Sequence, residues 1–126
     1  AKFLPAFPVS MSLYLNLKIE PVRHIGNAWS IIQDDPLLVD MVRLKTLASL
    51  CNTPLDTPVE ALQTPLFLIQ AEKDTIFKPA YSKRLFDRLT GSKKMAVYPG
   101  LPHYMIVDDV HAFIGDVSDW LKNQLS

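Results

Sequence analysis

The stretch LFLIQAEKDTIFKP, residues 66–79, decides the fold of this chain. Its first six residues, Leu66 to Ala71, form a short and nearly continuous apolar run, which is typical of a strand covered on both faces of a parallel sheet. A polar loop follows, and Pro79 is the kind of residue that commonly opens a helix. The stretch therefore predicts a buried strand, a loop at its carboxyl end and the start of a helix.

The sequence downstream completes a strand, helix and strand unit. Apolar residues on one face and charged residues on the other predict an amphipathic helix over residues 79–90, closed by Gly91. A second short strand is predicted over Lys94 to Tyr98. A crossover of this length makes a right-handed βαβ unit, so the two strands are expected to be parallel.

Each predicted strand is followed by a loop with a titratable residue. Asp74 lies in the loop after the first strand and His103 in the loop after the second. Ligands of open α/β sheets bind beyond the carboxyl ends of the strands, and adjacent strands are only about 4.8 Å apart. We therefore expect the Asp74 carboxylate to reach the His103 imidazole. An Asp that orients a His is the acid and base half of a nucleophilic triad.

The rest of the chain is less regular. Residues 1–33 carry three prolines among apolar positions without a clean period, and they are predicted to form loops and short helices. Asp34-Asp35-Pro36 predicts the start of a helix that continues to about Leu50. A last helix is predicted after Asp108-Asp109, and the charges of these two acids are explained by its dipole.

Breaker residues near position 60 divide the chain into residues 1–63 and residues 64–126. The fold class is α/β, with two parallel strands and flanking helices in the second part and a mostly helical segment in the first. Two parallel strands do not make a stable isolated sheet, and their apolar runs imply neighbours on both sides. We therefore expect part of the sheet to come from outside these 126 residues.

Composition and charge disfavour several classes of function. Thirteen basic residues balance thirteen acidic ones without a basic block, so a nucleic-acid partner is not expected. No apolar run approaches the roughly 20 residues that span a bilayer, so no transmembrane segment is expected. The single Cys51 and the lack of zinc-ligand spacing predict neither a disulfide nor a metal site. No cofactor is implied, and the cytoplasm is the default compartment.

Two motifs connect these observations to a known family. Residues 66–79 resemble the strand and acid loop near the end of α/β-hydrolases, and Tyr98-Pro-Gly-Leu-Pro-His103 resembles their histidine loop. In that family the chain order is nucleophile, acid and base, and Asp74 precedes His103 here. The chain is identified on these motifs as the C-terminal part of an α/β-hydrolase. Residues 1–63 are more loosely similar to the helical cap of monoglyceride lipase and lysophospholipase-like members.

The resemblance implies a serine hydrolase of esterase or lipase type, whose substrate is a small-molecule ester or a lipid-like ester. In such an enzyme a serine would attack the ester, His103 would act as general base and acid, and Asp74 would orient His103. Four residues flank the acid and the base and are candidates for lining an acyl pocket, although buried packing explains them equally well. They are Phe77, Leu101, Tyr104 and Met105.

Two features depart from the family pattern. No Gly-x-Ser-x-Gly nucleophile elbow occurs in these 126 residues, so the nucleophile is expected outside them and the chain alone is expected to be inactive. Glu72 occupies a position where the family usually has Gly.

Two alternatives stay open. The chain could be a non-catalytic remnant of a hydrolase that associates with a partner, or with itself, through an exposed strand edge. The fold could also serve a haloalkane, epoxide or carbon–carbon substrate, because the superfamily reuses its acid and base with different nucleophiles.

Overall fold

A computed structural model gives the architecture and describes residues 6–15, 17–23, 25–37 and 39–125, without the side chain of residue 32. The predictions for residues 1–5 and 126 lie outside the described residues. In chain order the strands are β1 (Pro8–Ser10), β2 (Pro21–Val22), β3 (Gly26–Asn27), β4 (Met41–Arg43), β5 (Leu66–Ala71) and β6 (Lys93–Tyr98). The helices are α1 (Ala28–Asp34), α2 (Leu44–Asn52), α3 (Pro79–Arg88), α4 (Met105–Asp108) and α5 (Ile114–Leu125).

The C-terminal region, residues 64–125, contains the predicted βαβ unit. Strand β5 has the predicted bounds, and β6 begins one residue earlier than predicted, at Lys93. The two strands pair in parallel, with Leu66 opposite Lys93 and Ala71 opposite Tyr98. Because the strands are parallel and in this register, their carboxyl ends lie side by side. The acid and histidine loops therefore leave the sheet at the same edge.

Helices cover both faces of this small sheet. On one face, Leu66 and Leu68 share an apolar cavity of about 120 Å³ with Leu85 and Phe86 of α3. On the other face, the Phe67 ring packs against Trp120 of α5 with 5.8 Å between the ring centroids. Alternate strand residues point to opposite faces, which explains why the apolar run is continuous.

The N-terminal region, residues 6–63, combines α1 and α2 with two pairs of short strands. Strand β1 pairs with β4 in antiparallel fashion, and β2 pairs with β3 around the turn that precedes Gly26. Gly26 has a φ of 104°, a value at which a side chain would be strained. Asn27 caps α1, because its Oδ1 accepts a hydrogen bond from the backbone N–H of Ser30.

The helix predicted from Asp35 to about Leu50 is wrong in its first half. Asp35 ends α1 instead of opening a helix, and its Oδ1 accepts the backbone N–H of Leu37, 2.8 Å away. This bond within a turn competes with helix formation, as short Asp side chains often do. The chain then forms β4 on β1, and α2 begins only at Leu44.

Gly91 does not close α3 as predicted. The helix ends at Arg88 in extended backbone at Leu89. A Cβ added to Gly91 would lie 2.8 Å from the carbonyl oxygen of Leu62, so the glycine permits a close approach of two backbone segments. Gly91 therefore joins the C-terminal region to the end of the N-terminal region.

The last helix also begins later than predicted. Asp108 ends the short helix α4, a 3₁₀ turn follows at Val110–Ala112, and α5 begins at Ile114. Asp108 and Asp109 do not cap α5. Asp108 Oδ2 accepts the backbone N–H of Arg23 at 2.7 Å, and Asp109 Oδ2 pairs with the Arg23 guanidinium at 3.2 Å. These two acids hold the N-terminal region against α4.

Two clusters of buried residues form the core. One contains Leu17, Val22 and Ala28 of the N-terminal region, and Ile76 and Tyr104 of the two sheet-edge loops pack against it. The other consists of Ala71, Tyr98, Met105 and Phe113, all in the C-terminal region. The acid and histidine loops thus lie between the two clusters. Among the described residues, no helix is long and apolar enough to cross a membrane.

Candidate active site

Asp74 is held firmly in the loop that follows β5. Its Oδ1 accepts the backbone N–H groups of Ile76 and Phe77, at 2.8 and 2.7 Å. The Asp74 side chain is only 7% exposed. Helix α3 starts at Pro79 after Lys78, which makes no side-chain cap, so Asp74 does not cap that helix. These bonds fix one carboxylate oxygen and direct the other away from the loop.

His103 lies where that second oxygen points. Its Nδ1 is 2.8 Å from Asp74 Oδ2, and its side chain is 31% exposed. The imidazole ring contacts the rings of Phe77 and Tyr104, each with 5.5 Å between centroids. A half-buried imidazole that is bonded through Nδ1 leaves its Nε2 edge for a substrate or a neighbouring hydroxyl. The structure thus brings together the acid and base predicted from the sequence.

The loops after β5 and β6 are tied to each other by their backbones. The N–H of Glu72 donates to the carbonyl of Tyr98 at 3.0 Å, and the N–H of Lys73 donates to that of Leu101 at 2.9 Å. Glu72 Oε2 also accepts the N–H of Gly100, 2.7 Å away. The glutamate that replaces the usual glycine therefore joins the two loops. Gly100 itself has a φ of 73°, which permits the turn after β6.

Gln70 was not singled out from the sequence, although it lies next to Asp74. It is buried in β5, and its Nε2 donates to the carbonyls of Ala71 and Phe77 at 2.9 and 3.0 Å. A longer contact of 3.4 Å reaches Asp74 Oδ2. The signal was present in the sequence, because Gln70 is the one polar residue in an otherwise apolar strand.

Glu20 is the second residue that the sequence analysis missed. It is 0% exposed, and its carboxylate accepts hydrogen bonds from Thr75 in the acid loop and from the backbone N–H of His103. Its only signal was a lone acid near the apolar positions Leu15 and Leu17. No spacing rule links a residue of the N-terminal region to loops 55 and 83 positions away.

A cleft of about 230 Å³ opens beside the Asp74 and His103 pair. Of the four predicted pocket residues, Phe77 and Met105 line this cleft, together with Ile106 of α4. Leu101 and Tyr104 do not line it. Leu101 packs on the core cluster around Ala71, and Tyr104 packs on the cluster around Leu17. Core packing therefore accounts for two of the four predicted pocket residues, Leu101 and Tyr104.

The cleft also runs along β5. Four consecutive residues, Leu68 to Ala71, contribute to its wall. Consecutive residues of a strand share a wall only along its edge, and β6 occupies the other edge of β5. Within the part of the chain that the structure describes, this edge has no strand partner. The Asp74 and His103 pair therefore lies at the end of an open strand edge.

Among the described residues, neither a nucleophile elbow nor a metal cluster accompanies the pair. Ser82 is the serine in the cleft lining, but it is a buried residue of α3 and does not lie in a strand-to-helix turn. No group of three or more His, Cys, Asp or Glu in the described ranges could hold a metal ion. Cys51 is exposed on α2.

Tyr98, at the end of β6, has a raised pKa. Burial raises the pKa of Tyr98 to about 12, and the hydrogen bond from its hydroxyl to Asp116 Oδ2 contributes. That bond is 2.6 Å long and joins β6 to α5. Tyr98 therefore stabilises the strand end that carries the histidine loop, and it stays neutral throughout the physiological pH range.

Comparisons with known proteins agree with this architecture. The family model described as serine aminopeptidase, S33, matches residues 1–110. Among solved structures, the chain is similar to the monoacylglycerol lipase of Paleococcus ferrophilus, with a TM-score of 0.66 and 21% sequence identity. The similarity covers 95% of this chain and 47% of that one, so the chain spans about half the length of the protein it matches. A search of the curated proteins found no significant match.

Proposed function

Because this chain belongs to the serine aminopeptidase S33 family, which has the α/β-hydrolase fold, we propose that it is the cap and C-terminal part of a serine hydrolase acting on carboxylic esters. Residues 1–63 then form the cap, and residues 64–126 form the end of the catalytic fold. The nucleophilic serine belongs to a part of the protein outside these 126 residues. The observation that carries the proposal is the 2.8 Å contact between Asp74 Oδ2 and His103 Nδ1.

In the proposed reaction, Asp74 holds the His103 tautomer that carries its proton on Nδ1. Nε2 then accepts the proton of the serine hydroxyl as the serine oxygen attacks the ester carbonyl carbon. The imidazolium that forms is stabilised by the Asp74 carboxylate. When the tetrahedral intermediate collapses, Nε2–H protonates the departing alcohol. A water molecule then repeats the sequence, with its proton passing to Nε2, and releases the acid.

The cleft supports an ester with an apolar acyl group. Phe77, Met105 and Ile106 contribute apolar surface beside the acid and base. Because polar groups of the cleft wall, such as the Gln70 amide, already have hydrogen-bond partners, they do not require a polar acyl chain. A lipid-like ester, as in the monoacylglycerol lipase to which the fold is similar, is a candidate substrate on this ground.

The open edge of β5 supports the proposal that the nucleophile lies outside these 126 residues. A parallel strand next to β5 would end beside Asp74 and His103, because neighbouring parallel strands end at one edge. Strand edges left unpaired also invite association with other chains. In the proposed whole protein, a strand from the remaining part of the sequence covers this edge, and the nucleophile lies in a loop at the same end of the sheet.

The test compares hydrolysis of a short-chain p-nitrophenyl ester by this chain, by the full reading frame around it and by variants of the full frame. We expect the full frame to be active and the 126-residue chain to be silent. His103→Ala should lower kcat on the order of 10⁴- to 10⁶-fold, and Asp74→Asn should lower it about 10⁴-fold. His111→Ala is the matched control, because His111 is exposed on a 3₁₀ turn away from the cleft.

The outcome that contradicts the proposal is an active full frame in which His103→Ala behaves like His111→Ala. An aminoacyl p-nitroanilide should be assayed in parallel, because the family model is described as an aminopeptidase. Faster turnover of the anilide than of the ester would reassign the substrate class but keep the acid and base.

The second candidate is a non-catalytic domain that associates through β5. It is favoured by one observation, the strand edge that lacks a partner among the described residues. Light scattering after size exclusion distinguishes the two candidates. A stable dimer of the 126-residue chain, combined with no ester hydrolysis by the full frame, would favour the association domain.

A further inference from the structure

Glu20 has a buried carboxyl group that the proposed reaction does not use. The residue lies in the turn before β2, and its surroundings hold it in place on both sides. Its own carbonyl accepts the N–H of Ala28 at 2.9 Å, and the carbonyl of Leu17 accepts the N–H of Trp29 at 3.0 Å. Leu17 and Val22, which flank it, are both buried in the N-terminal cluster. The Glu20 side chain is therefore presented from a rigid support.

The two carboxylate oxygens of Glu20 contact different loops. Oε2 accepts the backbone N–H of Thr75 at 3.1 Å and the Thr75 hydroxyl at 2.5 Å. Oε1 accepts the backbone N–H of His103. Thr75 follows Asp74 directly in sequence. One side chain thus bonds the residue next to the acid and the backbone of the base.

Among the described residues, the Glu20 carboxylate is compensated by hydrogen bonds and not by a cation. Burying a carboxylate costs several kcal/mol unless it is well paired, and no Lys, Arg or His in the described part of the chain forms an ion pair with Glu20. Only an ionised carboxylate offers acceptors on both oxygens without a donor. A glutamine could accept from one loop, but its amide group would then face an N–H of the other.

We propose that Glu20 is a positioning residue that sets the separation of the acid and histidine loops, and hence the Asp74 to His103 contact. This inference rests on the proposed function. Asp74 Oδ1 is fixed within its own loop by Ile76 and Phe77, so the loop moves as a unit with Thr75. A shift of either loop away from Glu20 lengthens the 2.8 Å contact between Oδ2 and Nδ1.

The test uses the full reading frame with Glu20→Gln and, as a matched control, Glu60→Gln. Glu60 is an exposed glutamate whose partner is Arg88, remote from the cleft. We expect Glu20→Gln to lower kcat roughly 10- to 100-fold with an unchanged KM, because Glu20 does not line the cleft and small displacements of catalytic groups cost that much. Glu60→Gln should retain both parameters.

A spectroscopic measurement reports on the same contact without turnover. The proton between His103 Nδ1 and Asp74 gives a strongly deshielded signal in the ¹H spectrum, identified by its loss in Asp74→Asn. Glu20→Gln should shift or broaden this signal, and Glu60→Gln should not. A wild-type kcat together with an unshifted signal in folded Glu20→Gln overturns the proposal, and so does a raised KM with an unchanged kcat.

If Glu20→Gln does not fold, Thr75→Val decides the matter by removing one donor to Oε2 while keeping the side-chain shape. We expect kcat to fall about threefold to tenfold, and a wild-type kcat with an unshifted signal overturns the proposal. Failure of the proposed hydrolase function can be told apart from failure of the positioning role of Glu20. If His103→Ala keeps full activity, the proposed function fails. If His103→Ala is inactive while Glu20→Gln is normal, only the positioning role fails.

Discussion

The two regions of this chain differ in the length of the strands that they pair. In the C-terminal region, β5 and β6 are joined by one helix and pair along six residues each. In the N-terminal region, β1 and β4 pair along three residues, and α1 lies between them. Strands of two or three residues are too short to show a clear hydrophobic pattern, whereas the six-residue strands and the amphipathic helix of a βαβ unit do show one.

The regions also differ in how they bury their apolar residues. The C-terminal cluster around Phe113 contains four buried residues, from the ends of β5 and β6, from α4 and from the turn before α5. The N-terminal cluster contains Leu17, Val22 and Ala28. Large apolar side chains are exposed in both regions, for example Leu37 in the first and Val107 in the second. Both regions therefore leave apolar surface uncovered, and they differ in that the C-terminal cluster draws on the ends of both parallel strands.

The largest stability effect is expected for Phe113→Ala. Phe113 is 5% exposed and packs edge-on against Tyr98, with 6.1 Å between ring centroids. Truncation leaves a cavity in the C-terminal cluster and should lower the free energy of unfolding by about 3–5 kcal/mol. Urea unfolding of the full reading frame measures it, with the exposed Leu125→Ala as control. A loss similar to that of the control would contradict the central role of this cluster.

Gly91→Ala is expected to act at the junction of the two regions. Its Cβ would lie 2.8 Å from the Leu62 carbonyl, so the backbone must shift, at a cost of about 1–3 kcal/mol. Gly115→Ala is the control, because a Cβ on this residue of α5 meets nothing within 4 Å. That substitution should stabilise the helix by up to about 1 kcal/mol. Equal effects in both variants would mean that the close approach carries no constraint.

Alkaline pH should weaken the C-terminal region through Tyr98. Its pKa is raised to about 12 in the fold, whereas an unfolded tyrosine has a pKa near 10. The folded state therefore holds the proton more tightly, and this contribution is complete below pH 10 and is lost as pH rises from about 10 to 12. We expect a loss on the order of 1–2 kcal/mol, reduced because Asp116 is exposed to solvent.

The measurement compares urea unfolding of the wild type and Tyr98→Phe at pH 8, 10 and 11. Lysines also titrate in this range, so only the difference between the two proteins reports on Tyr98. The gap between them should narrow as pH rises. A gap that stays constant from pH 8 to 11 is the result that contradicts this prediction.

The smallest effect is expected for Leu37→Ala in the N-terminal region. Leu37 is 90% exposed, so its truncation in the 126-residue chain should change the free energy of unfolding by less than about 0.5 kcal/mol. The same substitution in the full reading frame tests whether the rest of the protein covers Leu37. A loss above about 1 kcal/mol there would show that the rest of the protein covers this surface, which hydrogen exchange at residues 35–37 can check independently.

The sequence predicted the C-terminal elements well because their signals are local. Both strands, the parallel pairing and the meeting of Asp74 with His103 follow from apolar runs and from the edge rule for parallel sheets. The late start of α5 was not foreseen, because Asp108 and Asp109 bind Arg23, a partner 85 and 86 positions away. The helix predicted from Asp35 failed for a local reason, since Pro36 is compatible with a turn as well as with a helix start.

The site was predicted only in part. Asp74 and His103 were predicted to meet and do so, but Gln70 and Glu20, which hold the loop of Asp74, were not singled out. A buried polar side chain has no characteristic spacing, because its partners are backbone groups that any residue can supply. Leu101 and Tyr104 were assigned to a pocket by proximity in sequence, and the structure gives them to the two core clusters.

The separations in sequence of these contacts have a consequence for how far the N-terminal region can change in length. Asp74 and His103 close a loop of 29 positions, whereas Glu20 and His103 close one of 83. The entropy lost on closing a loop grows only logarithmically, by about 0.6 kcal/mol for each doubling of its length. The segment between Glu20 and β5 can therefore gain or lose many residues at little thermodynamic cost. The shorter loop meanwhile keeps Asp74 and His103 in contact.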